Sequence, residues 1–312
     1  MSASTRSSLH PPRTLRRLTV SVKTSFPSSA EPVADAAEFA ASWREWHDAL
    51  DEGRRDPHGV LAFTGLVWLT PEAQRIPGVP GVYRVATGDA VVEAVAADGL
   101  FLADQEIDGP LVLGGAGPHL LTFDGGEIEI ARRGDHVIAR PRLEDSPFLA
   151  AFAGTDAWPA DAAWRVPARF EAWETARAVT VDAVTGRFEH ELAAVGTLHV
   201  EIAGTSYALT AFAGFTPGTV RLPFRDATSG TDSYGAGRTV TVEIDRDDVT
   251  VDFTRATNLP CAYSDFGTCP LPPAGNRITV PVTAGEKTPT LRLTAHADGR
   301  AVVIDTTRKD HP

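Results

Sequence analysis

The chain has 312 residues and 33.2 kDa, room for one large domain or two ordinary ones, and its 43% hydrophobic and 22% charged content excludes a mostly disordered polypeptide. Twenty-nine Lys and Arg stand against 41 Asp and Glu, a net charge of −12 that argues against a general nucleic-acid or anionic-membrane binder. No apolar run approaches the roughly 18 residues of a membrane span.

Residues 1–30 hold Arg6, Arg13, Arg16, Arg17 and Lys23 and no acid. A transit peptide or a twin-arginine signal would fit that charge, but Lys23 interrupts the short apolar run after Arg17 that an export signal needs. The expectation is a disordered tail over 1–33. Only Lys23, Lys287 and Lys309 accompany 26 arginines, a bias that suggests a GC-rich bacterial genome. A cytoplasmic location is expected, with Cys261 and Cys269 reduced.

The first ordered element is predicted as an amphipathic helix over 35–52, with Asp35 and Glu38 as a capping box and Phe39, Trp43, Trp46 and Leu50 on one stripe that packs across a sheet. Gly59 to Leu69 reads as a buried segment. Short strands then follow at 91–95, 111–113, 120–123, 127–130 and 136–140, and Asp124-Gly125-Gly126 marks a hairpin. A short helix fits Ser146 to Phe152. From Arg165 a second β-run begins: Leu198, Val200 and Ile202 alternate with His199 and Glu201, and further strands fit 207–212, 239–244, 249–253, 278–282, 291–295 and 301–304. The fold class expected is mainly β, antiparallel barrel or sandwich subdomains with an N-terminal helix. The expected division is 34–143, a connector at 144–164, a second β-subdomain at 165–306 and a tail at 307–312.

Two stretches break this pattern. Arg221 to Arg238 crowds polar residues and glycines, and residues 254–277 run without periodicity, a length of connection that tends to be functional. Trp43-Arg44, Gly65-Leu-Val-Trp-Leu69, Ser146-Pro147, Arg169-Phe170, Phe224-Arg-Asp-Ala-Thr-Ser-Gly230, Tyr234-Gly-Ala-Gly-Arg238, Pro260-Cys261 and Cys269-Pro-Leu-Pro-Pro-Ala-Gly-Asn276 occur in this order. Through them the chain resembles the bacterial and archaeal family called domain of unknown function 1684, from about Trp43 to Lys287. It departs from that family's usual pattern at Val60, Thr254, Thr257 and Leu259. The resemblance implies no established reaction.

Arg225, Asp226, Tyr234, Arg238 and Asn276 are the candidate site. The arginines offer planar donor forks to a carboxylate or phosphate, Asp226 orients them, Tyr234 and Asn276 add directional bonds, and Gly230, Gly235 and Gly237 let backbone approach a ligand. This suggests a small anionic metabolite held between the 224–238 and 254–277 loops. Two alternatives stay open: a hydrolase with Asp226 as general base beside Tyr234 and Arg238, and a non-catalytic interaction module in which these residues are a structural network. Cys261 and Cys269 lack zinc partners at suitable spacing and a histidine base nearby. A redox pair is open to them, and the preferred reading is two small buried apolar groups. No cofactor is expected, because G-x-S-x-G, P-loop, H-E-x-x-H and dinucleotide fingerprints are all missing.

Overall fold

The computed structural model describes residues 36–307 apart from 116, 246–247 and 297–299. Asp35 and the stretches 1–33 and 308–312 lie outside the described residues. The described chain is mainly antiparallel β with one long helix, α1 (Ala36–Arg54), near its start.

The buried face of α1 is Trp43, His47 and Asp51, one turn apart. The expected stripe is therefore corrected: Phe39, Trp46 and Leu50 are only half-buried, and polar groups take the inner positions. The reason is the surface it meets, which is irregular backbone with open polar groups. Trp43 donates its indole N–H to the Thr254 carbonyl at 2.7 Å, and Arg54 reaches Glu286 at 2.6 Å.

Residues 67–143 build two small sheets face to face. One has the order Val82–Ala86, Asp89–Ala94, Gly109–Leu113 in space. The other runs Val67–Trp68, His136–Leu143, Gly126–Arg133, His119–Phe123, Phe101–Leu102, Gln105–Glu106. Tyr83, Val92, Leu100, Leu121, Ile128 and Ile130 fill the space between. The hairpin read from Asp124-Gly125-Gly126 forms as expected, between His119–Phe123 and Gly126–Arg133. Gly126–Arg133 is buried on both faces, and its outer face carries Glu127 and Glu129. The adjoining register sets Glu127 opposite Arg142 and Glu129 opposite Arg140, a charged ladder under cover.

Residues 165–258 form a seven-stranded antiparallel sheet, in the order Thr250–Asp252, Arg165–Asp182, Glu189–Ile202, Thr205–Ala213, Thr219–Phe224, Arg238–Glu243, Thr257–Asn258. It does not close, so the barrel alternative gives way to sandwich-like sheets. Leu198, Val200, Leu209, Leu222, Phe224, Val240 and Phe253 make its core. At Gly196 a Cβ would fall 2.5 Å from the Glu171 carbonyl oxygen and 2.6 Å from the Phe170 ring. Backbone on the facing strand must move to admit it, so Gly196→Ala is expected to destabilise by about 1–3 kcal/mol in a urea titration.

The strand expected at 278–282 is absent, and this is a correction. Ile278 and Val282 are buried in the same core and the alternation is real, but the pairing stops at a parallel bridge between Arg225 and Arg277, with the Ile278 N–H on the Arg225 carbonyl at 2.8 Å, and does not extend into a strand. The Val282 N–H is taken at 2.7 Å by the Asp226 carboxylate. A last hairpin, Leu291–Ala295 with Ala301–Asp305, packs through Leu293 on Phe63, Phe148, Phe152, Tyr263 and Phe266. The aperiodic 254–277 stretch is thus an interior connection: Thr254, Asn258, Cys261, Tyr263, Phe266 and Cys269 are all buried.

Candidate functional site

The five residues singled out by sequence fall into three places. Arg238, the first residue of its strand, is fully buried. Its guanidinium donates to the carbonyls of Ala284, Val282 (3.0 Å) and Glu286 (3.1 Å) and lies 3.4 Å from Asp226, with the Trp158 and Phe224 rings on its flanks. Burial pushes the guanidinium pKa down and the Asp226 charge opposes that. Asp226 also accepts from the Thr228 and Ser229 hydroxyls and the Val282 N–H. Arg238 and Asp226 are therefore brought together, each facing the chain's own groups. Gly237, at φ 96°, makes this possible, since a Cβ there would meet the Phe224 carbonyl oxygen at 2.5 Å.

Asn276 is buried and clamps sheet to loop, its amide bonding both the N–H and C=O of Thr210 and the Pro223 carbonyl, each at 2.8 Å. Arg225 joins it through backbone, its N–H meeting the Asn276 carbonyl at 3.0 Å. Tyr234 stands apart, against Cys261 and Cys269, with the Arg292 guanidinium 5.6 Å from its ring. Burial, with a smaller push from Cys261, raises its hydroxyl to about 12.

A second polar centre escapes sequence reasoning. Glu286 is buried and takes both Arg54 nitrogens (2.6 and 3.0 Å), the Asn258 N–H (2.6 Å) and the Tyr263 hydroxyl (3.4 Å), with His47 Nε2 3.3 Å away. Burial alone would raise its pKa; His47, Arg54 and the Asn258 N–H together outweigh it and hold the carboxyl below its ordinary range. One ligand atom each of His47, Asp51 and Glu286 lies within 4.8 Å of the others, a spacing compatible with a cation. Arg54 already supplies that charge, 2.7 Å from Asp51 and 2.6 Å from Glu286.

The third centre is a cavity of about 530 Å³ between the 126–143 hairpin and the 254–277 connection. Arg132, Arg133, Arg140 and Arg142 line one wall, Pro260 and Gly267 to Pro270 another, and Phe188, Glu189, His190 and Glu191 a third. Arg140 meets Glu129 at 2.7 Å, Arg133 meets it at 2.9 Å and Arg142 at 3.1 Å, while Arg142 also pairs with Glu127. Three guanidiniums thus share two buried carboxylates. Burial alone would raise the Glu129 pKa, but Arg140, Arg133 and Arg142 together hold it low. The Nε atoms of Arg140 and Arg142 are buried without a hydrogen-bond partner. Phe63 stacks beneath both, 4.3 and 4.9 Å from the guanidinium carbons. His190 donates from Nε2 to the Thr268 carbonyl (2.6 Å), and burial lowers its pKa.

None of Arg225, Asp226, Tyr234, Arg238 and Asn276 lines this cavity, whereas Cys269 does. The signal for its arginine wall is present in the sequence as Glu127-x-Glu129 and Arg140-x-Arg142 on consecutive strands, but it needs the hairpin register to be read.

The family profile described as "Protein of unknown function (DUF1684)" matches residues 150–287. The solution NMR structure of an uncharacterized protein of Haloarcula marismortui is similar at 36% identity, over 45% of this chain and 80% of that one, with a TM-score of 0.38. No curated protein matches.

Proposed function

The chain belongs to the DUF1684 family of proteins of unknown function, and we propose that it binds a small anionic metabolite in the cavity walled by Arg133, Arg140 and Arg142. The observation that carries this reading is a cavity of about 530 Å³ lined by four arginines, three of them drawn together on Glu127 and Glu129, in a protein of net charge −12. That volume lies within the range of metabolite sites, and guanidinium forks recognise carboxylate and phosphate oxygens directly. The Nε groups of Arg140 and Arg142 are buried without partners, so the carboxylates leave part of both guanidiniums unmatched. The 254–277 connection keeps its place in this reading as the opposite wall. Arg238, Asp226 and Asn276 act one layer behind, fixing the strands. The protein then works in the cytoplasm, where its two free thiols persist.

A thermal-shift panel of phosphate, sugar phosphates, di- and tricarboxylates and nucleotides tests the proposal. A ligand at 100 times its dissociation constant stabilises by about 2.7 kcal/mol. One class is expected to raise the melting midpoint of wild type by several degrees and to leave Arg133→Gln unmoved, while the exposed-site control Arg169→Gln responds like wild type. Indifference to every anion, or an equal response in Arg133→Gln, would remove the reading.

A further inference from the structure

We propose that Cys269 and Cys261 are a hydroperoxide-reducing dithiol, with Cys269 as the attacking sulfur and Cys261 as the thiol that resolves it. Cys269, 9% exposed, forms part of the cavity wall, the side from which a peroxide approaches it. Cys261 lies behind it, 1% exposed, in one buried cluster with Cys269 and Ala236. The seven residues between them fold back tightly enough that a Cβ on Gly267 would stand 3.0 Å from the Cys261 Cα. Both thiols are free and share one buried cluster, the neighbourhood a disulfide between them requires.

The surroundings assign the roles. Interaction with the Cys261 S–H, with help from its backbone N–H and from Arg140, lowers the Cys269 pKa against the opposing effect of burial. Cys261 is pushed the other way, first by donating to Cys269 and then by burial, and so keeps its proton. A thiol whose ionised form is favoured, with a second thiol and a guanidinium near it and a cavity wall of which it is part, is the arrangement of a reactive cysteine rather than of an inert one. The Tyr234 hydroxyl also interacts with Cys261.

The reaction balances with a hydroperoxide as the oxidant. The Cys269 thiol gives up its proton and its sulfur attacks the terminal peroxide oxygen; an S–O bond forms, the O–O bond breaks, and the alkoxide or hydroxide leaves as alcohol or water with the proton that Cys269 released. Cys261 sulfur then attacks the Cys269 sulfenic sulfur; the S–S bond forms, the S–O bond breaks, and hydroxide departs as water with the Cys261 proton. Two thiols are oxidised by two electrons and one peroxide is reduced.

This inference does not depend on the anion-binding reading, and its test uses the reduced full chain with hydrogen peroxide. After quenching, the protein is unfolded, alkylated with N-ethylmaleimide and weighed intact. Untreated protein is expected to take two alkylations, and treated protein none, with a mass lower by two hydrogens. Thiol loss is expected to run about tenfold faster in folded protein than in urea, as a lowered thiol pKa predicts. With dimedone present, Cys261→Ser is expected to carry one adduct on Cys269 and Cys269→Ser none. Two surviving thiols in treated wild type, faster loss in urea, or the adduct on Cys269→Ser would each overturn the proposal. The wild-type thiol count decides the question even where a serine variant folds poorly.

Discussion

Arg238→Met is expected to lower unfolding stability by about 3–5 kcal/mol, because it strands a buried carboxylate and several buried carbonyls at once. The Arg238 guanidinium serves Asp226 and the carbonyls of Val282, Ala284 and Glu286, so its loss unties the 282–286 segment from the sheet. A urea titration followed by tryptophan fluorescence reads this directly, Trp158 lying 5.1 Å from the guanidinium. Adding Asp226→Asn to the same chain is expected to recover part of the loss, since an uncharged amide tolerates burial where a lone carboxylate does not. Losses that simply add in the double variant would show that the two groups are not coupled. An Arg238→Met protein with wild-type stability that no longer binds an anion would instead return the ligand site to this residue.

Glu286→Gln is expected to cost up to about 3–5 kcal/mol, by taking from the buried Arg54 guanidinium one of its two carboxylates and leaving Asp51 alone to neutralise it. It also changes how stability varies with pH. The folded-state pKa of Glu286 lies below the unfolded value of about 4.3. The stabilisation from this group is therefore complete above that unfolded value and drains away as the pH falls through the lower folded one. Glu129 contributes with the same sign, through Arg140, Arg133 and Arg142 acting against its burial. Wild type is expected to lose stability steeply below about pH 4, and Glu286→Gln less steeply, because the glutamine has no proton to gain. Urea midpoints taken across this range for both proteins check it. Equal slopes would mean that Glu286 titrates alike folded and unfolded.

Much of the architecture can be read from local pattern. The alternation of Leu198, Val200 and Ile202 identifies a strand with one buried face, and Asp124-Gly125-Gly126 identifies a turn. Patterns with a single source of order are legible. Where two sources compete, the reading slips. Ile278 to Val282 alternates as a strand does, yet a side chain 56 residues earlier captures the N–H that a ladder would use. The α1 stripe follows hydrophobicity in sequence, but the surface that receives it offers carbonyls and carboxylates, so His47 and Asp51 turn inward. Arg238 and Asp226 are read from sequence as a polar cluster; their burial comes from the irregular 282–286 backbone, whose carbonyls no periodicity announces. The cavity arginines are hidden for a different reason. Four charged residues on two strands look like two wet faces until the strands are paired in register and the 254–277 connection is laid over them.

The contacts of α1 carry a consequence for synthesis on the ribosome. Its helix leaves the exit tunnel early, but Thr254 and Glu286, which hold it, lie 211 and 232 residues further on in the chain. At about 5–20 residues per second, those partners follow roughly 10–50 s after the helix. Throughout that interval Trp43, His47 and Arg54 have no docking surface, and an isolated 19-residue segment without tertiary packing is only marginally helical in water. A late contact is thus made by a segment born more than 200 residues before its partners. Nascent chains arrested before residue 254 are expected to carry an α1 open to chaperones and proteases, and chains released beyond residue 287 to protect it.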